Sequence, residues 1–321
     1  MSLMSKEVLV VLYEKLLLAR LCEERIRQDY FKDEMKTPVH LSIGEEAISV
    51  GVHGAIPKNS KIFGTYRNHA IYLAASNDTD GFWAELYGRS TGCGKGKAGS
   101  MHMCCPEFGL IATSAVVGTT IPVALGTAMA SQYKKSEELS VVFLGDGATE
   151  EGVFYESLSF AKLRNLSVLF VIEDNDLAIH TKRSHRASLQ SFEDLAKAFD
   201  MHYLRDDGSD ITRVFSATKE ILGMMKKSSG PAILHFDYFR FLEHVGPQED
   251  FKFGYREQPD GVFEKFDPIL KAERQLESLG FNSIERESLK NKVLAKIEKS
   301  VEFAKNSPFP DPAELYTDIL A

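Results

Sequence analysis

Basic excess, long apolar runs and a cysteine framework are all missing from this chain of 321 residues, and each absence removes a class of function. Lysine and arginine total 38 against 46 aspartates and glutamates, giving a formal net charge of −8 and a pI of about 5.7. The electrostatic footprint of a nucleic-acid binder is therefore lacking, and no nucleic-acid partner is expected. No apolar run approaches the ~20 residues that a membrane-spanning helix requires, so no membrane association is expected either. The opening MSLMSKEVLV has none of the basic region, long apolar stretch and small-residue cleavage site of a secretory leader. Cys22, Cys93, Cys104 and Cys105 contain no CxxC pair, and the adjacent Cys104 and Cys105 do not suggest a disulfide framework. A reducing cytoplasm is the expected compartment. Cys104 follows His102 by two residues, but zinc takes four ligands, or three and a water, and the sequence offers no evident fourth partner. Internal repeats and low-complexity tracts are absent as well.

What remains is an ordinary globular composition, 44% hydrophobic and 26% charged, long enough to bury a sizeable core. Residues 1–321 are read as one domain, with residues from about 260 to 321 a helical C-terminal extension placed to contact partner subunits. The segment EVLVVLYEKLLLARLCEERIRQDYF carries helical spacing throughout. Further on, helices and buried strands alternate. LSVVFLGDG and LSVLFVIEDND read as strands, as do HYLRDDG and PAILHFDYFRF. TTIPVALGTAMASQYKK, TEEGVFYESLSFAKLRN, SFEDLAKAFDM and ITRVFSATKEILGMMKKSSG read as helices. That alternation predicts an α/β fold with a largely parallel sheet flanked by helices. GRSTGCGKGKAGSMHM is a long glycine-rich loop, expected to be mobile when no ligand holds it. The prolines of NSPFPDPAELYTDILA predict a kinked, extended arm after the last helix.

Two strand ends carry the chemistry. VVFLGDG places Asp146 between Gly145 and Gly147 where a buried strand stops. In an open parallel sheet, ligands sit beyond the carboxyl ends of the strands. A glycine there lets backbone N–H groups approach an anion. Taken alone, the motif is equally a surface turn with a solvated carboxylate. The next strand, LFVIEDND, ends in Asp174, Asn175 and Asp176, and a right-handed crossover brings both strand ends to one edge. Carboxylate and amide oxygens facing one point, with phosphates nearby, are what Mg²⁺ accepts. The same groups can instead cap helices.

The GDG motif followed at this spacing by an acidic-Asn cluster resembles the thiamine-diphosphate motif. VHLSIGEEA (39–47), TYRNH (65–69), GCGKGKAGSMHM (92–103), AVVGTTIPVALGTA (115–128), RFLEHVG (240–246) and PFPDPAELY resemble, in that order, the alpha subunit of the 2-oxo acid dehydrogenases. That family includes the pyruvate, branched-chain and acetoin enzymes. The resemblance runs from about residue 10 to 320, and it implies a thiamine-diphosphate-binding fold. It further implies that Asp146, Asn175 and the Leu177 carbonyl hold Mg²⁺. Gly147 and Ala148 would offer N–H groups to the diphosphate; Tyr66 and Arg67 match the family's Tyr-Arg pair, and Arg67 would clamp the diphosphate. Val117, with Ala115 nearby, would meet the aminopyrimidine through its backbone. His244 matches the active-site loop histidine and His40 the histidine facing the substrate; both are expected to be catalytic, since histidines exchange protons near neutral pH. A beta subunit would supply the glutamate that protonates the aminopyrimidine, within an α₂β₂ heterotetramer. The acyl group would pass from a 2-oxo acid or acetoin to a lipoyl-bearing acyltransferase. His180 and His185 fall in HTKRSHRAS, which resembles the family's mobile active-site loop, and are given no catalytic role.

The chain departs from the family pattern at four places. Asp174-Asn175 stands for Asn-Asn, so Asp174 and Asp176 are rival ligands to Asn175. Leu177 replaces a frequent aromatic, Ala115 a glycine common in the pyruvate enzymes, and Val245 the regulated serine of the animal pyruvate enzyme. FLEHVGPQED and the Thr37–Leu41 segment leave the substrate open. Two alternatives stand beside the leading reading. One is a split transketolase-like enzyme or decarboxylase of a sugar pathway; the other is a noncatalytic scaffold subunit.

Overall fold

The computed structural model describes residues 4–189 and 191–317; the ends of the expected 1–321 unit, residues 1–3 and 318–321, lie outside the described residues. In chain order the elements are α1 (Lys6–Asp29), α2 (Glu46–Ala55), β1 (Lys61–Gly64), α3 (His69–Ser76), α4 (Thr79–Leu86), β2 (Leu110–Thr113), α5 (Thr120–Tyr133), β3 (Ser140–Gly145), α6 (Gly152–Leu163), β4 (Val168–Asp174), β5 (Leu177–Ala178), β6 (Thr181–Lys182), α7 (Phe192–Ala198), β7 (His202–Asp207), α8 (Ile211–Lys227), β8 (Ala232–Asp237), α9 (Val262–Phe266), α10 (Pro268–Ser278) and α11 (Ser283–Asn306). Six strands form one sheet in the order β2-β1-β3-β4-β8-β7, every pair parallel. β5 and β6 make a separate antiparallel hairpin.

β3 and β4 consist of Val, Ile, Leu and Phe with little interruption because helices cover both faces of the sheet. Alternate residues serve opposite layers. Val141, Phe143, Leu169 and Val171 join a core with residues of α1, α2, α3, α4, α8 and α11. Val142, Leu144, Phe170 and Ile172 join another with α5, α6 and α7. The architecture is the α/β sandwich that the alternation of elements predicts. The C-terminal helix α11 starts with a capping box between Asn282 and Glu285. It buries Val293, Ile297, Val301 and Ala304, all four in the same core as α4's Phe82 and Trp83. Beyond it, Pro308 accepts a hydrogen bond from the Ser90 N–H at 3.0 Å, and the Arg89 guanidinium lies 3.9 Å over the Phe309 ring. The proline-rich arm thus runs across the start of the glycine-rich segment. Among the described residues no helix is long and apolar enough to cross a membrane.

The strand order fixes where a ligand can sit. From β1 the chain moves outward to β2, then returns through α5 to place β3 on β1's other side. The order reverses between β1 and β3, and a crevice opens beyond their carboxyl ends. Residues 65–67 leave β1 there, and Asp146 leaves β3. Register brings β4 level with them, since Gly145 pairs with Glu173.

Candidate active site

A cleft of about 310 Å³ occupies that crevice. Tyr66, Arg67, Val117, Asp146, Gly147, Ala148, Asn175, Leu177 and His244 all line it. These are nine of the expected site residues, drawn from five separate segments. Two others stand outside its lining. Ala115 is half-buried between the lining residues Ser114 and Val116. His40 sits behind Tyr66, ring centroids 4.5 Å apart.

Arg67 is buried and organises the histidines from below. Its Nη1 donates to the Leu41 carbonyl at 2.7 Å and its Nη2 to the His244 carbonyl at 3.3 Å. The segments carrying the two histidines lie side by side in a parallel bridge between His40 and Gly246, and the Gly246 N–H donates to the Val39 carbonyl at 2.8 Å. The His40 and His244 rings meet at 5.2 Å, and Tyr66 packs 5.6 Å from His244. Burial, reinforced by the Arg67 charge, pushes both histidines down to about 3. At neutral pH they are neutral imidazoles, able to donate from one nitrogen and accept at the other.

Asp146 is buried at the start of a short 3₁₀ turn. Burial and the charge of Asp174 push its carboxyl up to about 6, against the opposing pull of Arg186. The Arg186 guanidinium bridges the carboxylates of Asp146 and Glu150, so this position attracts a cation. Gly147 faces the β5 hairpin, where an added Cβ would stand 3.0 Å from the Ala178 Cβ. Its missing side chain keeps backbone accessible at the cleft floor.

Of Asp174, Asn175 and Asp176, only Asn175 lines the cleft. Asp174 turns away from the cleft, accepting from His235 Nε2 at 3.0 Å, Arg183 Nη1 at 3.3 Å and the Asp176 N–H at 2.8 Å. Asp176 is exposed with φ 66°. Both border a separate, charged groove of about 1100 Å³, whereas Asn175 borders both spaces. Asn175 Oδ1 accepts the Leu177 N–H at 3.0 Å, and its Nδ2 donates to the Tyr238 hydroxyl at 2.6 Å.

Three lining residues escape the sequence reading. Glu45, Glu173 and Tyr238 form a buried polar floor. Burial pushes Glu45 up to about 8, and it raises Glu173 well above the ordinary carboxylate range, each reinforced by neighbouring carboxylates. Such carboxyls carry little negative charge against an anionic ligand. The only sequence signal was their position, in the quoted motif or at a strand end.

The glycine-rich segment is not a loose loop. Glu85, at the end of α4, accepts from the backbone N–H groups of Gly94, Gly96, Ala98 and Gly99 at 2.7–3.0 Å. His69 Nε2 meets Ser100 Oγ at 2.7 Å, and Asn68 Nδ2 donates to the Ser100 carbonyl at 3.1 Å. The glycines let the chain wrap a carboxylate inside the protein. His102 is exposed and lies 3.4 Å from the Thr113 carbonyl, away from the cleft.

A doubly wound sheet whose order reversal opens onto a carboxylate, a glycine turn and an amide oxygen defines a class: proteins that bind a phosphorylated cofactor at strand ends. The particular family follows from comparison. The chain belongs to the dehydrogenase E1 component family, whose model matches residues 14–313. It is 31% identical to the alpha subunit of acetoin:2,6-dichlorophenolindophenol oxidoreductase of Bacillus subtilis, over 98% of this chain and 94% of that one. It is 32% identical to the pyruvate dehydrogenase E1 component subunit alpha of Rhizobium meliloti, over 98% and 91%. The corresponding subunit of Porphyra purpurea is 33% identical over 97% and 92%.

Proposed function

We propose that this chain is the alpha subunit of a thiamine-diphosphate-dependent E1 enzyme that acts on acetoin or a 2-oxo acid and hands the acyl group to a lipoyl carrier. The observation that carries the reading is the convergence of nine family-matched residues on one cleft at the strand-order reversal. Asp146 and Asn175 side-chain oxygens and the Leu177 carbonyl would hold Mg²⁺; Gly147, Ala148, Tyr66 and Arg67 would hold the diphosphate; the Val117 backbone would meet the aminopyrimidine.

The residues fit such a group. A guanidinium already lies against Asp146, a Cβ at Gly147 would crowd the floor, and Glu45 Oε1 is buried without a hydrogen-bond partner. Thiamine diphosphate, when bound, supplies a carbon nucleophile and an electron sink. The chain's own residues position and protonate. Arg67 ties the backbones of Leu41 and His244 together, which sets the spacing of the two imidazoles. His40 and His244 present neutral nitrogens where a substrate oxygen would change charge, so each can give or take a proton without first losing one to water. Val116 and Val117, 63% and 44% exposed, border the cleft on a side that this chain leaves open. That opening supports a beta subunit completing the site within an α₂β₂ assembly. The cysteines are all free, which supports a reducing, cytoplasmic setting.

The test is to co-purify the chain with its beta subunit and measure turnover of acetoin, pyruvate and branched 2-oxo acids with a lipoyl domain as acceptor. Turnover that depends on thiamine diphosphate and Mg²⁺ is expected. Turnover of a sugar phosphate without lipoyl transfer, or no turnover on any of these substrates, would overturn the reading.

A further inference from the structure

Outside the cleft lies a set of buried polar groups that the chemistry above does not use. Glu23 on α1, His69 at the first position of α3 and Ser100 near the end of the glycine-rich segment are all fully buried. His69 Nδ1 meets Glu23 Oε1 at 3.1 Å, and its Nε2 meets Ser100 Oγ at 2.7 Å. Carboxylate, imidazole and hydroxyl follow one another as in a hydrolytic triad. None of the three lines the cleft, however, and a hydroxyl that no substrate reaches attacks nothing. Burying such groups is costly unless each is partnered, so their other bonds show what they hold.

Those bonds run to the two ends of the segment that carries His40. Glu23 Oε1 also accepts the Ser42 N–H at 2.7 Å. The Ser100 N–H donates to Thr37 Oγ1 at 3.0 Å. The connections close into a ring: from His69 through Glu23 to Ser42, back along residues 37–42, and from Thr37 through Ser100 to His69. Arg67, donating to the Leu41 carbonyl, and the Gly246 N–H, donating to the Val39 carbonyl, fix the middle of the segment. The ring through His69 fixes its ends. An imidazole suits the junction because its two nitrogens hold two partners at a set separation across a rigid ring. The Ser100 hydroxyl can give or accept, so it fits whichever role is left to Nε2. Asn68 Nδ2 donates to the Ser100 carbonyl at 3.1 Å, and Phe82 packs edge-on against the imidazole at 5.1 Å, so the junction is packed as well as bonded.

We propose that His69 is a positioning residue for His40: it closes a hydrogen-bonded ring that fixes both ends of the 37–42 segment, and with them the place of the His40 imidazole beside His244. It does not line the cleft and acts through His40. The inference rests on the reading of His40 as the histidine that faces the substrate.

The experiment is steady-state turnover of acetoin, pyruvate and branched 2-oxo acids by the assembled enzyme, alongside a calorimetric titration of thiamine diphosphate with Mg²⁺ present. His69→Phe keeps a flat buried ring and removes both bonds. It is expected to lower kcat by roughly 10–100-fold, the range reached when a reacting group is misplaced by up to about an ångström, with the parent's affinity for thiamine diphosphate. His69→Asn, which reaches toward Glu23, and His69→Gln, which reaches toward Ser100, each keep one bond and should recover part of the loss. In a crystal structure of the His69→Phe assembly, the His40 and His244 ring centroids should depart from their 5.2 Å separation. The decisive arm is a His40→Gln background, in which His69→Phe should cost nothing further in kcat, because its effect passes through His40. Should His69→Phe fail to assemble, Ser100→Ala, which opens the ring at one bond, carries the same comparison in the parent and in the His40→Gln background. Parent-like kcat in the variant, an equal loss in the His40→Gln background, or thiamine diphosphate affinity falling in step with kcat would overturn the inference while leaving the site reading intact. His40→Gln alone separates the two: a lowered kcat supports the reading of His40, and a parent-like kcat would overturn that reading and the inference together. Absence of turnover by the parent on all these substrates would overturn the proposed function and the inference with it.

Discussion

His40 and His244 show how burial sets chemistry at the scale of a residue. Each has an ordinary pKa of 6.5, held down to about 3 in the fold by burial and by Arg67. Between those values the unfolded chain binds more protons than the folded one, so stability rises with pH across the window and is lost as pH falls through it. Glu45 works in the opposite sense. Its carboxyl is raised from 4.5 to about 8, so its contribution is lost as pH rises through that range. Between pH 4 and 7 the two histidines are expected to add a component that lowers the melting temperature toward acid, against the opposite component of the raised carboxyls. In thermal melts, a variant carrying His40→Gln and His244→Gln should lose that component, so its melting temperature falls less, or rises more, toward acid than the parent's; an unchanged slope would count against the assignment. Arg67 is the residue on which both histidines depend. A lysine keeps the charge but cannot reach the Leu41 and His244 carbonyls with one planar fork. Arg67→Lys is therefore expected to lower kcat by roughly 100-fold, the cost of misplacing reactive groups by about an ångström. Steady-state kinetics of the assembled enzyme check this.

Elements differ in how plainly their sequences speak. β3, β4 and β8 were legible because runs of Val, Ile, Leu and Phe have few other uses in a globular chain, and α5, α6 and α8 because their apolar spacing spans several turns. β1 and β2, four residues each, are too short for any period to register. They nevertheless complete the reversal that makes the cleft. Asp146, Gly147 and Asn175 were readable as strand-end residues. Tyr238 and Glu45 were not, because they reach the cleft where β8's end and α2's start come together, which no local pattern encodes. Glu85 is the same kind of case. Its carboxylate gathers four N–H groups from residues 94–99, so a stretch that composition marks as loose is tied to the core. Glu85→Ala strands those donors and is expected to destabilise the fold by roughly 2–4 kcal/mol. Limited proteolysis should then cut within residues 88–99, and resistance equal to that of the parent would show that other contacts suffice.

Across the whole molecule, one sheet and its helices present a set of strand ends, and the reversal between β1 and β3 decides which of them share a cleft. The family match spans residues 14–313, and the cleft lies beyond the carboxyl ends of β1 and β3. Asp174, bound to His235 and Arg183 in the neighbouring charged groove, does not line the cleft; on the proposed reading the additional carboxylate therefore does not face the anionic ligand. On the proposed reading, Asp146 and its strand-end neighbours hold the diphosphate and its cation. The most direct measurement is a calorimetric titration of thiamine diphosphate, with Mg²⁺ present, into the assembled enzyme and its Asp146→Ala variant. Saturable binding by the parent and at least about 100-fold weaker binding by the variant, a loss of ~2.7 kcal/mol, is the expected result. Equal affinity in the two proteins would contradict the account.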